Sequence, residues 1–248
     1  MIEFQVDVET PDGRMPTFIT HPERESPHPV IILYMDARGI REELRDMARR
    51  FATVGYYCML PDLYYRWGKN ISFNPAPLQS IPSDNEKVWG YIKKTTHERV
   101  LADTEALLSY VERDSNASPG PKGCIGYCMG GTLILGVMGK LPSQFRAGSS
   151  LFGVGMVTDE PMSPHHHLNS STGEIYFGLG DLDEYTPPKL VEMLRADLDR
   201  KKIRYEIEYS REAKHGFVFT QRPPAYNKEA AERSWERTFS LFRRNLRA

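Results

Sequence analysis

Residues 123–138 constrain the chain more than any other stretch. An apolar run, Gly123-Cys124-Ile125-Gly126-Tyr127, leads into Cys128-Met129-Gly130-Gly131, and a second apolar run, Thr132-Leu133-Ile134-Leu135-Gly136-Val137-Met138, follows. The first run reads as a buried strand and the last as the start of a buried helix. A strand that turns sharply into a helix between glycines is the nucleophile-elbow pattern, here with cysteine where serine usually sits. The turn requires glycine at 126 and 130, because a side chain there would collide with the neighbouring strand or helix. Its product is an exposed sulfur at a helix N-terminus, where backbone N–H groups and the helix dipole favour a thiolate and a developing oxyanion. A buried structural cysteine would fit the same turn, so the rest of the chain has to decide between them.

The flanking segments alternate between strand and helix. Ile2 to Val8 and Met15 to Thr20 alternate around Pro11-Asp12-Gly13 and predict an N-terminal β-hairpin. Val30-Ile31-Ile32-Leu33-Tyr34 is a continuous apolar run, as expected of a strand buried on both faces of a parallel sheet. Leu44, Met47, Ala48, Phe51 and Ala52 recur at helical spacing before Gly55. Tyr56 to Leu60, Ala147 to Gly153, Glu174 to Gly178 and Arg204 to Tyr209 read as further strands. Helices are expected over Lys189 to Lys201 and roughly Tyr226 to Leu246. Trp67 to Ser83 is rich in Asn, Pro and Ser and shows no period, so a lid or insertion is expected at about 67–95. The alternation implies one α/β domain over 1–248, with a mostly parallel central sheet and helices on both faces.

With 248 residues and a net charge of −1, the chain has no general electrostatic attraction for nucleic acid or an anionic membrane. No apolar run approaches membrane-spanning length, and the N-terminus lacks the basic and apolar regions of a signal peptide. Three scattered cysteines argue against a disulfide framework and fit a reducing, cytoplasmic compartment.

Cys128, Asp183 and His215 each fall just beyond an expected strand. Nucleophile, acid and histidine in that chain order is the α/β-hydrolase order. Cys128 would attack an acyl carbon, His215 would take the thiol proton and later activate water, and Asp183 would fix the histidine tautomer. Asp181 competes with Asp183 for the acid's place. Asp183 is preferred because the turn Glu184-Tyr185-Thr186-Pro187 follows it directly.

Four segments, Pro61-Asp62-Leu63-Tyr64-Tyr65-Arg66, Gly126-Tyr127-Cys128-Met129-Gly130-Gly131, Asp183-Glu184-Tyr185-Thr186-Pro187 and Ala213-Lys214-His215-Gly216-Phe217, together resemble the dienelactone hydrolase family of α/β-hydrolases. They occur in family order over nearly the whole chain. The resemblance implies a lactone or ester substrate, a thioester on Cys128, and no metal or organic cofactor. It also implies that Asp36 helps activate the thiol, where better-known members carry the longer Glu, and that the backbone N–H groups of Ala37 and Met129 form an oxyanion hole. Two arginines that hold the substrate carboxylate in those members have no counterpart at the matching places, which are Phe219 and the neighbourhood of Pro82 and Ser83. Tyr64, Tyr65, Trp67, Trp89, Phe217 and Phe219 are therefore expected to wall an aromatic pocket for a less charged ester, thioester or lactone. Arg38 and Arg66 are candidates for a replacement cation at its mouth.

His165-His166-His167 does not read as a metal site, because adjacent histidines on an extended loop point in alternating directions. Cys58 and Cys124 sit inside apolar runs and are expected to be inert core thiols. The expected partner is a small-molecule ester or lactone, acted on by a monomer or small homo-oligomer. The rivals are a thioesterase or acyl transferase, and a non-catalytic small-ligand binder on the same fold.

Overall fold

The N-terminal hairpin, β1 (Ile2–Thr10) and β2 (Gly13–His21), pairs antiparallel from Ile2 opposite His21 to Thr10 opposite Gly13. It forms one edge of an eight-stranded sheet in a computed structural model that describes residues 1–24, 26–74, 82–161 and 163–247. The remaining strands are β3 (Val30–Tyr34), β4 (Tyr57–Pro61), β5 (Lys122–Tyr127), β6 (Phe145–Leu151), β7 (Glu174–Gly180) and β8 (Arg204–Ser210). Their order across the sheet is β1-β2-β4-β3-β5-β6-β7-β8. β2 meets β4 antiparallel, and every pairing from β4 to β8 is parallel. All five residues of β3 are buried, as a strand covered on both faces requires.

Six α-helices among the described residues cover the sheet: α1 (Glu42–Thr53), α2 (Pro82–Lys94), α3 (His97–Val111), α4 (Met129–Lys140), α5 (Pro188–Arg200) and α6 (Lys228–Leu246). Two glycines identify which helix lies on which face. A Cβ on Gly123 would press on Phe242 and Leu246 of α6, and one on Gly148 would press on Ile134 and Met138 of α4. Gly148 pairs with Cys124, the residue after Gly123, and consecutive strand residues point to opposite faces. Hence α4 and α6 lie on opposite sides. α1 shares the α6 side, where the Phe51 ring packs against Trp235, Phe239 and Phe242. This is the α/β-hydrolase fold that the sequence led us to expect. No helix of the described residues is long and apolar enough to cross a membrane.

Residues 82–94, within the stretch expected as a lid or insertion, form helix α2, for which the sequence pattern gave no helical period. Their apolar signal is thin, and tertiary packing completes it: Val88 is fully buried, and the Tyr91 ring lies 4.8 Å from Tyr64 and 5.7 Å from Trp67. Residues 75–81 of the expected lid lie outside the described residues. One local expectation is corrected: Pro164–Ser170, with its three histidines, is a 3-10 helix and not an extended loop.

Candidate active site

The elbow forms where β5 meets α4. Cys128 takes φ 54° and ψ −114°, left-handed backbone that costs a non-glycine residue about 1–3 kcal/mol. The neighbouring geometry over-determines it. The Cys128 N–H donates to the Leu151 carbonyl (3.0 Å), and its carbonyl accepts from the Val154 N–H (3.3 Å). A Cβ on Gly126 would overlap the Gly130 carbonyl, and one on Gly130 would overlap the carbonyl oxygens of Tyr34 and Met35. Both glycines expected from the sequence are thus required by close backbone approach. The turn leaves Cys128 only partly buried, at the N-terminus of α4.

Asp183 and His215 leave the sheet at neighbouring points, after β7 and β8. The Asp183 side chain is fully buried, and its Oδ2 lies 2.9 Å from His215 Nδ1. Its other oxygen accepts from the Tyr185 N–H at 2.9 Å, which fixes the carboxylate. Asp181, the competing acid, is exposed. Phe152 and Tyr185 meet the His215 ring edge-on, at 5.2 and 4.9 Å. Burial disfavours the imidazolium, but the Cys128 sulfur and the Asp183 carboxylate more than offset it and push His215 up to about 10.

Cys128 and His215 line a cavity of about 600 Å³, together with Asp36, Ala37, Met129 and Trp89 from the expected set. Met129 is the first residue of α4, so no preceding turn accepts its N–H. Asp36 is fully buried and doubly paired: Arg41 donates to Oδ1 at 2.6 Å, and Arg222 donates to Oδ2. Burial alone would raise its pKa, but the two guanidiniums win and hold it below the ordinary value. Arg41 and Arg222 also stack on the two sides of this ion cluster against Phe219, 4.7 and 4.4 Å from its centroid. Glu43 ties the cluster to the chain after His215, accepting from Arg41 (3.1 Å), the Gln221 N–H (2.9 Å) and the Thr220 hydroxyl (3.2 Å).

Several expected wall residues do not line the cavity. Phe217 and Phe219 are fully buried in the core. Tyr64 is buried beneath the site, and its hydroxyl donates to the Ala37 carbonyl (2.9 Å). Arg66 makes a two-pronged bond to buried Asp103, at 2.8 Å through each nitrogen, and so is a structural clamp. Tyr65 joins that clamp through its hydroxyl. Trp67 packs on Tyr64 and Tyr91. The expectation of an aromatic-walled pocket is therefore corrected. Of the aromatic residues among the described lining, Trp89 was expected and Tyr185 was not. Sequence reasoning also missed Arg222 and Lys214, which line the cavity alongside Arg38. Arg222 lies seven residues after His215 in a Pro-rich loop, and only the tertiary fold turns it inward.

The histidine run needs a correction in its geometry. The 3-10 turn stacks the His165 and His166 rings 3.9 Å apart, and Asp197 of α5 joins them within metal-ligand range. The Asp197 oxygens, however, already hold Arg200 and Lys201, the latter at 2.5 Å. His165 Nδ1 is bonded to the Ser163 hydroxyl at 2.7 Å. A divalent ion there would have to displace a cation. His167 packs instead on His97, at 4.8 Å. Cys58 and Cys124 are fully buried, and burial raises both thiols.

Residues 15–246 match the family model described as "Dienelactone hydrolase family". A Synechocystis sp. protein named "Putative carboxymethylenebutenolidase" is 26% identical over 235 residues, covering 93% of this chain and 92% of its own. An Escherichia coli O157:H7 protein of the same name is 29% identical over 235 residues, covering 92% of this chain and 82% of its own. Among solved structures, the "Putative Dienelactone Hydrolase" of Klebsiella pneumoniae subsp. pneumoniae superposes with a TM-score of 0.85 at 25% identity, over 97% of this chain and 98% of that one.

Proposed function

The chain belongs to the dienelactone hydrolase family, hydrolases of lactones and esters, and from that premise we propose that it cleaves its substrate through a thioester on Cys128. The observation that carries this reading is the cysteine held at φ 54° on a cavity wall shared with His215, whose far nitrogen is bonded to buried Asp183. His215 already holds the thiol proton as its imidazolium at neutral pH, and the sulfur attacks the acyl carbon. The carbonyl electrons move to oxygen, where the N–H groups of Ala37 and Met129 donate to the oxyanion. Collapse breaks the C–O bond, and the leaving alkoxide takes the proton from the His215 imidazolium. Water then attacks the thioester with His215 as base, releasing the acid and restoring the thiol. Asp183 keeps Nδ1 protonated and compensates the imidazolium. Asp36 acts through its ion pairs, by orienting Arg222 and the loop that carries His215.

Arg38, an expected replacement cation, lines the cavity together with Lys214 and Arg222, so an acidic lactone belongs among the substrates alongside neutral esters. The test is hydrolysis of a short activated ester and of dienelactone by wild type, Cys128→Ala and Cys58→Ala. Wild type and Cys58→Ala should turn over both substrates, and Cys128→Ala should lose about 1,000-fold or more. Undiminished turnover by Cys128→Ala would sink the mechanism, and turnover of the ester alone would remove the acidic lactone.

A further inference from the structure

The cavity changes chemical character from one supporting element to the next. Its charged lining, Asp36, Arg38, Glu184, Lys214 and Arg222, comes from the chain segments after β3, β7 and β8. The lining that comes from the helices is largely apolar. Met129 and Leu133 lie four residues apart on α4, and Val88 and Ile92 lie four apart on α2. Residues at that spacing share one face of a helix, so two apolar ribs border the same space. Trp89 and Val154 add to this wall, and the Thr95 and Thr132 side chains interrupt it.

The apolar arm also has an end. His97, at the start of α3, lines the cavity, and a Cβ on Gly136 of α4 would stand 2.5 Å from its Nδ1. Gly136 follows Met129 by seven residues, so the arm extends two helical turns from the elbow, about 11 Å, the length of roughly eight extended carbons. Burial, and then the neighbouring His167, lower the His97 pKa to about 4, so the end wall is uncharged at neutral pH. A five-membered lactone or an acetate ester fills only a fraction of the space.

Resting on the hydrolase reading above, we propose that the substrate carries an aliphatic chain of medium length, lodged between α2 and α4 with its carbonyl at Cys128, and that Ile92 and Leu133 set the length accepted. The chain occupies the apolar arm, and the charged part of the lining is left for the polar end of the molecule.

The experiment has a kinetic and a binding arm. The kinetic arm measures kcat/KM for 4-nitrophenyl acetate, hexanoate, octanoate and dodecanoate, with ethyl and octyl acetate for a chain on the alcohol side. In one of the two series kcat/KM should rise by up to about fourfold per buried methylene to an optimum near eight carbons. Ile92→Trp, which fills the arm from a half-buried position, should cut the octanoate-to-acetate ratio about tenfold or more. Leu133→Ala should move the optimum to a longer chain. The binding arm measures octanoate against acetate on Cys128→Ala by calorimetry, which needs no turnover. Chain-dependent octanoate binding without turnover of any ester would overturn the hydrolase reading and leave the arm standing. A flat or falling chain series together with equal binding of octanoate and acetate would overturn the proposal, whatever becomes of the mechanism.

Discussion

Asp36→Asn removes the one negative charge between two buried guanidiniums. The side chains are 1% exposed for Asp36, 9% for Arg41 and 11% for Arg222, so solvent screens the cluster little. Deleting one partner of a buried pair costs about 3–5 kcal/mol. Arg41 keeps a second carboxylate in Glu43 at 3.1 Å, which places the expected loss at the lower end, about 3 kcal/mol. For a chain of this size that lowers Tm by about 6–12 °C. Thermal unfolding of both proteins at neutral pH measures the difference. The sign with pH follows from linkage. Arg41 and Arg222 hold the folded-state pKa of Asp36 below its ordinary 3.8. The stabilisation is therefore complete well above 3.8 and is lost as pH falls from there through the folded-state value. The gap between wild type and variant should be constant from pH 8 to 5 and narrow only in stronger acid. A Tm within about 2 °C of wild type at pH 7, or a gap unchanged below 3.8, would refute the ion-cluster argument.

Two further predictions concern the histidine. Asp183→Asn removes a fully buried carboxylate 2.9 Å from His215, so kcat/KM should fall about 100- to 1,000-fold, while exposed Asp181→Asn should leave it nearly unchanged. The reverse ranking in steady-state assays would mean that Asp181 is the acid. With His215 pushed up to about 10, its imidazolium persists through neutral pH and is lost as pH rises through that value. Hydrolysis of an alkyl ester, whose leaving group needs a proton, should therefore hold its rate to about pH 9 and decline around 10. A basic limb near 7 would contradict the coupling to Cys128 and Asp183.

The elbow was legible because its requirements are local. Cys128 needs an unusual φ, and Gly126 and Gly130 are forced by backbone contacts a few residues away or on the adjoining strand. The same holds for β3, where five consecutive apolar residues announce burial on both faces. Asp183 and His215 were found because each follows a strand whose place in the sheet the alternation of elements had already implied. Helix α2 escaped detection, since its stabilisation lies in the burial of Val88 and the packing of Tyr91 on distant rings and not in its own pattern.

Sequence by itself thus determined the fold class, the strained turn and the residues able to meet there, because strand period, helix period and glycine punctuation are properties of neighbouring residues. What the walls of the site are made of was decided by tertiary structure alone. Tyr64, Phe217 and Phe219 were expected on the pocket wall and Arg66 at its mouth, and the packing turned all four away from the cavity lining. Arg222 carried no local signal and was turned inward by Asp36, 186 positions away in the chain. A side chain's burial is a property of everything packed around it, and no window of sequence holds that information.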